Sequence, residues 1–419
     1  MSRFPDDFIW GSATAAHQVE GNNKWNDWWR WEQQGGGAEP SENACEHYER
    51  YEEDFDLMEE LHQNGYRFSI EWSRIEPEEG EFNEEAIQHY KDMIEAMRER
   101  DIEPMMTLHH FSNPTWFTDK GAFTKQENLE YFYRFVEKVS EEIEDVKYWV
   151  TINEPAVYSF SYLTDTWPTD QGLAKCFQVG GNLMRAHAKA REILQNDDSE
   201  REVGLAKNIQ ITECSNFIFK PIAKIIDWMW NGAMLNSLRD ADLKFPYGSG
   251  DLEGEGPILD FVGVNYYTRF VLSFNLLKEA LQVSLGSKAP NQVAEGAIGE
   301  GLETTKMGYE VYPEGFRKAL EMVRDFDLPV YITENGISTD EDEQRQRFLK
   351  SHLGIVADAI EDGIDVRGYF YWSTIDNFEW DSGFEQRFGL IGVDYETQER
   401  NVRESARVYK KIIDGEIEV

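Results

Sequence analysis

Eight short apolar runs, separated by longer amphipathic stretches, constrain the fold of this chain more than any other feature. The runs are "FIWGSAT" at 8–14, "YRFSIEW" at 66–72, "PMMTLHHF" at 104–111, "KYWVTINE" at 147–154, "VGLAKNI" at 203–209, "DFVGVNYY" at 260–267, "PVYITE" at 329–334 and "VRGYFYWS" at 366–373. Between them lie helical patterns such as "EEAIQHYKDMIEAMRERD", where Ile87, Tyr90, Ile94 and Met97 recur at three- and four-residue steps on one face. Gly65 and Gly363 follow helical runs, the position of C-terminal caps. Eight strand-then-helix units with no Pro/Ser-rich linker predict a single α/β domain over residues 1–419. The expected fold is a (β/α)8 TIM barrel with its active site at the C-terminal ends of the strands. An open doubly wound sheet is the alternative, but no glycine-rich phosphate loop follows the early strands. The low-pattern stretch 284–306 reads as a surface loop over the barrel mouth.

Two of the runs end alike. The fourth, Tyr148, Trp149, Val150 and Ile152, stops on Asn153, Glu154 and Pro155; the seventh, Val330, Tyr331 and Ile332, stops on Thr333, Glu334, Asn335 and Gly336. Such residues suit half-buried strands, and proline forbids regular continuation. In a barrel, strand tips converge on one cavity, so two glutamates distant in sequence would face each other. Facing carboxylates suit glycosidic bond cleavage, which needs a proton on the departing oxygen and a negative group beneath the anomeric carbon. A separation of roughly 5–5.5 Å allows direct attack and retention of configuration, whereas about 6.5–9.5 Å admits a water and inverts it. A strand-end glutamate taken alone is more often an ion-pair partner.

Composition narrows the partners. The net charge of −39, from 80 acidic and 41 basic side chains, would repel nucleic acid and anionic membranes. The acidity reads either as a well-solvated surface or as adaptation to high salt, where a Debye length of roughly 3 Å at about 1 M screens self-repulsion. Under the salt reading the melting temperature rises between low and molar KCl; equal melting in both ends that reading. Three scattered cysteines, Cys45, Cys176 and Cys214, offer neither a disulfide framework nor paired zinc ligands. With no apolar segment behind a basic start in "MSRFPDDFIWG", a soluble cytoplasmic protein is expected. Thirteen tryptophans supply core and spare rings for stacking on sugars.

The segments "TINEP" and "ITENG", in this order on matching strands, resemble the signatures of the glycoside hydrolase family 1 β-glycosidases. The likeness runs nearly end to end, through "FIWGSATAAHQVEG", "YRFSIEWSRI", "VGVNYYT" and "WSTIDNFEWDSGFEQRFGLIGVDY". It implies a retaining exo-β-glycosidase acting on unphosphorylated β-glucosides, β-galactosides or β-fucosides, with Glu154 as general acid/base and Glu334 as nucleophile. Arg67 would hold Glu334 ionised and Tyr267 would hydrogen-bond it; the alternative for Tyr267 is a core aromatic. The same likeness makes Gln18, His110, Phe111, Asn153, Asn265, Trp372, Glu379, Trp380 and Phe388 the substrate-binding set, with Trp372 as floor. Relatives that act on 6-phosphorylated sugars replace the acid found here as Glu379, and a carboxylate would repel phosphate. No cofactor is implied, and no metal: His109 and His110 are adjacent on a strand and face opposite ways.

Two regions depart from the family pattern. "YSFSYLTDTWPTDQG" replaces the usual stretch after "TINEP", and the segment between the fifth and sixth strands is compact. Both flank the side where the aglycone leaves, so the aglycone and assembly into homo-oligomers stay open. Phe111 stands where many relatives have Trp, keeping an aromatic wall without an indole donor. The partner expected is a small β-glycoside or short oligosaccharide. Other readings are a transglycosylase using the same site, a catalytically silent sugar-binding barrel, and a Schiff-base aldolase. The last would need a lysine at a strand tip, and Lys207 lacks a supporting cluster.

Overall fold

The computed structural model describes residues 3–164, 166–169, 172–273 and 302–419. All eight expected strands form: β1 Ile9–Ala13, β2 Gly65–Ser69, β3 Glu103–His109, β4 Tyr148–Asn153, β5 Glu202–Asn208, β6 Phe261–Asn265, β7 Val330–Asn335 and β8 Val366–Trp372. Each pairs in parallel with its sequence neighbour, and β8 closes on β1, from Ile9 against Gly368 to Ala13 against Trp372. The result is a closed (β/α)8 barrel, in which every strand points its C-terminal end to the same face.

The helices cover the barrel through the faces their periodicity predicts. In Glu84–Arg98 the buried residues are Ala86, Ile87, Tyr90, Met93, Ile94, Ala96 and Met97, and Asn83 caps its N-terminus by accepting from the amides of Glu85 and Ala86. Such a cap is worth roughly 1 kcal/mol. Gly363, with φ +85°, closes the helix Asp342–Glu361 as expected. Gly65 does not cap a helix: it opens β2 in ordinary extended backbone, where a Cβ would meet Ile9 Cγ2 at 2.4 Å. The absence of a side chain there serves close packing of β2 on β1. The second apolar run also ends earlier than its composition suggests, because Trp72 begins a short helix, Trp72–Ile75, and turns its ring onto Phe117 and Phe135.

Two small sheets stand outside the barrel, Ile211–Cys214 with Arg269–Leu272 and Ile391–Val393 with Arg400–Val402. Their four- and three-residue strands carry too little alternation to read from sequence. Of the expected loop 284–306, residues up to 301 lie outside the described residues; beyond them a bridge between Thr304 and Glu310 carries Met307 and Tyr309 to the barrel mouth. Among the described residues no helix is long and apolar enough to cross a membrane.

Candidate active site

Register shifts lie at the C-terminal tips of three strand pairs: β4 with β5 between Val150 and Asn153, β6 with β7 between Val264 and Asn265, and β7 with β8 between Tyr369 and Tyr371. Irregularities of this kind re-aim side chains at a barrel rim. Glu154 follows β4 with φ +42°, in the left-handed region, and Pro155 then starts the helix Pro155–Ser161. The proline that ends the strand pattern is thus a first-turn helical residue, where its missing N–H leaves no bond unmade. Phe111 and Trp380, with φ +71° and +51°, share the left-handed backbone and the same cavity. For bulky residues this conformation carries strain, and such strain clusters at functional sites.

The cavity these residues line has a volume of about 330 Å³, and both Glu154 and Glu334 face it. Each oxygen of Glu334 is engaged. The Arg67 guanidinium donates to Oε1 at 2.6 Å and the Tyr267 hydroxyl to Oε2 at 2.6 Å. Arg67 is wholly buried and also donates to Asn153 Oδ1 at 2.8 Å and to the Thr333 carbonyl at 3.1 Å, so its fork is fixed on three sides. Among the described residues Glu154 has no cationic hydrogen-bond partner: Oε1 accepts from Asn265 Nδ2 at 2.9 Å and Asn208 Nδ2 at 3.1 Å. Burial pushes its carboxyl up to about 7, and the charge of Glu334 adds to the push. Two carboxyl groups in one cavity are therefore held differently, one in an ion pair and one near neutrality as an acid.

Around them stand groups suited to sugar hydroxyls. Gln18 Nε2 donates to Glu379 Oε2 at 3.1 Å, while Gln18 Oε1 is buried without a partner among the described residues. His110 Nε2 lies 3.0 Å from Asn153 Nδ2 and its Nδ1 is likewise unpartnered. Burial, with the nearby Arg67 charge, keeps this imidazole neutral, well below the usual range. Since the Asn153 amide donates to Nε2, the proton sits on Nδ1, a free donor. Burial raises Glu379 to about 8, with the Glu334 charge as second cause, so near neutrality it offers both a donor and an acceptor. Trp372 and Trp380 both lie nearly parallel to the His110 ring, at 5.9 and 6.1 Å, and Phe388 packs edge-on to Tyr267 at 6.2 Å.

Of the thirteen residues singled out from sequence, Glu154, Glu334, Tyr267, Gln18, His110, Phe111, Asn153, Trp372, Glu379, Trp380 and Phe388 line this cavity. Arg67 lies beneath it. Asn265, expected to touch substrate, does not line it: it is fully buried, and its amide reaches Glu154 and Asn153 instead. This asparagine, the last residue of β6, supports the neighbouring strand rather than facing the cavity. His109 turns away from His110, to Asn113 and the Phe123 and Tyr158 rings. No group of three or more potential metal ligands occurs among the described residues.

Sequence reasoning missed Asn208, Trp230, Trp167, Tyr309 and Asp381, all on the cavity wall. Trp167 is instructive. It packs edge-on to Phe111 at 4.9 Å and parallel to Trp380 at 6.1 Å, so an indole absent from the end of β3 arrives from the unusual segment after β4. No periodicity marks such a loop residue. Asn208 was legible only as the polar end of β5.

The model of glycosyl hydrolase family 1 matches residues 1–220 and 230–417. Beta-glucosidase A of Acetivibrio thermocellus is 32% identical over 451 residues, covering 98% of both chains. A 6-phospho-beta-galactosidase of Staphylococcus haemolyticus is 31% identical over 470 residues, covering 99% of both. Among solved structures, a beta-glycosidase from Pyrococcus horikoshii superposes with a TM-score of 0.88 at 43% identity, over 98% of this chain and 95% of that one. A beta-glucosidase from Thermotoga maritima in complex with deoxynojirimycin gives a TM-score of 0.87 at 29% identity, over 99% of both chains.

Proposed function

The chain belongs to glycosyl hydrolase family 1 and is a β-glycosidase, and from that premise we propose a retaining exo-β-glycosidase of unphosphorylated sugars. The observation that carries this reading is the asymmetry of the two carboxyl groups. Glu334, fixed by Arg67 and Tyr267, is the nucleophile that attacks the anomeric carbon. Glu154, buried and pushed up to about 7, is the acid that protonates the departing oxygen. When Glu334 becomes an ester its negative charge is gone, and with it the second cause of the high proton affinity of Glu154. Glu154 then loses its proton more easily and serves as base toward the incoming water. Two inversions at one carbon restore the original configuration.

The presence of 6-phospho-beta-galactosidases among the relatives makes the choice of sugar a matter for the cavity wall. A phosphate dianion needs cationic donors. Arg269 is the one cation lining the cavity among the described residues, and Glu310 and Glu213 hold it at 2.6 and 2.7 Å. The acids Glu379 and Asp381 line the same cavity, Asp381 pushed up to about 6 by burial. Burial weakens the repulsion expected of Glu379 by leaving it largely protonated near neutrality, so the want of a free cation excludes phosphate more than the acid does. The expected result is hydrolysis of nitrophenyl β-glucoside, β-galactoside or β-fucoside with the β-anomer formed first, seen by proton NMR at early times, and at least tenfold lower kcat/KM on the 6-phosphates. An α-anomer as first product, or preference for a 6-phosphate, would overturn this reading.

A further inference from the structure

Lys207 is a buried lysine near the tip of β5 that neither half-reaction uses. It is fully buried and, among the described residues, makes no ion pair. Its ammonium donates to the main-chain carbonyl of Asn208 and stands 5.8 Å from the centre of the Trp230 ring. An unpaired buried ammonium opposes folding, and an aliphatic side chain would fill the position without that penalty. Lys207 does not line the cavity, so a bound sugar does not reach it. What its neighbours reach is Glu154. The amide of Asn208 donates to Glu154 Oε1 at 3.1 Å, and Trp230 fixes that amide by donating from Nε1 to Asn208 Oδ1 at 3.2 Å. The charged groups acting on Lys207 are Glu154, beyond the tip of β4, and Asp227, at the end of the helix Lys220–Asp227; those acting on Glu154 are Glu334, Lys207 and Glu379, which lines the same cavity.

We propose that Lys207 is a positioning residue for the glycosidase reaction, a buried cation behind Glu154 that favours its ionised form and so offsets the charge of Glu334 on the acid that protonates the departing oxygen. The inference rests on the reading of Glu154 as acid/base. In the free enzyme Glu334 opposes Lys207, one charge strengthening the hold of Glu154 on its proton and the other weakening it. Burial pushes Lys207 down to about 7, so its charge is complete in mild acid and fades as the pH rises through neutrality.

The test is the pH dependence of kcat/KM, on an aryl β-glucoside with a poor leaving group, for the wild-type enzyme, Lys207→Met and Lys207→Arg. Without the cation Glu154 keeps its proton to higher pH, so the basic limb should move up by about one pH unit in Lys207→Met. Lys207→Arg should return it toward the wild-type position. Because a buried charge is exchanged for an apolar chain of similar length, the melting temperature of Lys207→Met should not fall. Superimposable pH profiles in the three proteins, with or without a drop in melting temperature, would overturn the inference, since a merely structural lysine would leave the limb in place. If the Met variant does not accumulate, Lys207→Gln is read the same way. A basic limb that persists in Glu154→Gln is a separate result, and it would overturn the role of Glu154 itself.

Discussion

Replacement of Glu334 by glycine is expected to lower turnover of nitrophenyl β-glucoside roughly 10⁵-fold, about 7 kcal/mol of transition-state stabilisation. The loss is this large because, in the proposed mechanism, Glu334 forms the bond to the anomeric carbon, and it is the cavity carboxylate that Arg67 and Tyr267 hold. Arg67 and Tyr267 point their donors at its two oxygens, and with the carboxylate gone both aim at empty space. Added azide should occupy that space and attack from the same face, yielding the α-glycosyl azide by a single inversion. In the wild-type enzyme a 2-deoxy-2-fluoro glucoside with a good leaving group should label one peptide, at Glu334, because the electron-withdrawing fluorine slows hydrolysis of the ester. Label elsewhere, or an active glycine variant, would remove Glu334 from the role of nucleophile.

Replacement of Glu154 by glutamine should separate substrates by leaving group. The amide still fits between Asn265 and Asn208 but has no proton to give. Glycosides of poor leaving groups should lose roughly 10²–10⁴-fold in kcat/KM, the range of general acid catalysis, while dinitrophenyl glycosides, whose departing oxygen needs no proton, should lose about tenfold or less. The same variant should slow deglycosylation, for want of a base, and azide should relieve that step with formation of the β-glycosyl azide. Equal losses across leaving groups would mean that Glu154 acts on something other than the departing oxygen.

Much of this site was legible in the sequence because its two halves announce themselves locally. A strand that stops on an acid followed by proline, and a second strand that stops on an acid followed by asparagine and glycine, are short-range patterns. Barrel topology converts them into one cavity without further information. Most of the other cavity-lining residues singled out from sequence were legible through family resemblance. What escaped was everything delivered by irregular backbone. Trp167, Tyr309 and Asp381 come from segments without periodicity, and the small sheets outside the barrel are three or four residues per strand. Asn265 was misplaced for a related reason: a register shift at the tip of β6 decides whether a strand-end side chain faces the ligand or the next strand, and a one-residue slip reverses the answer.

By itself the sequence determined the eight-fold alternation, the faces of the helices and the identity of the paired glutamates, since these follow from periodicity and residue type along the chain. The tertiary structure alone supplied the contacts behind the difference between them, a guanidinium on one and, among the described residues, burial without a cationic hydrogen-bond partner for the other. It also decided which asparagines support rather than bind, and that Lys207 lies buried behind the acid. Proton affinity and side-chain direction depend on what lies within a few ångströms in space, and those neighbours come from strands up to 267 residues apart.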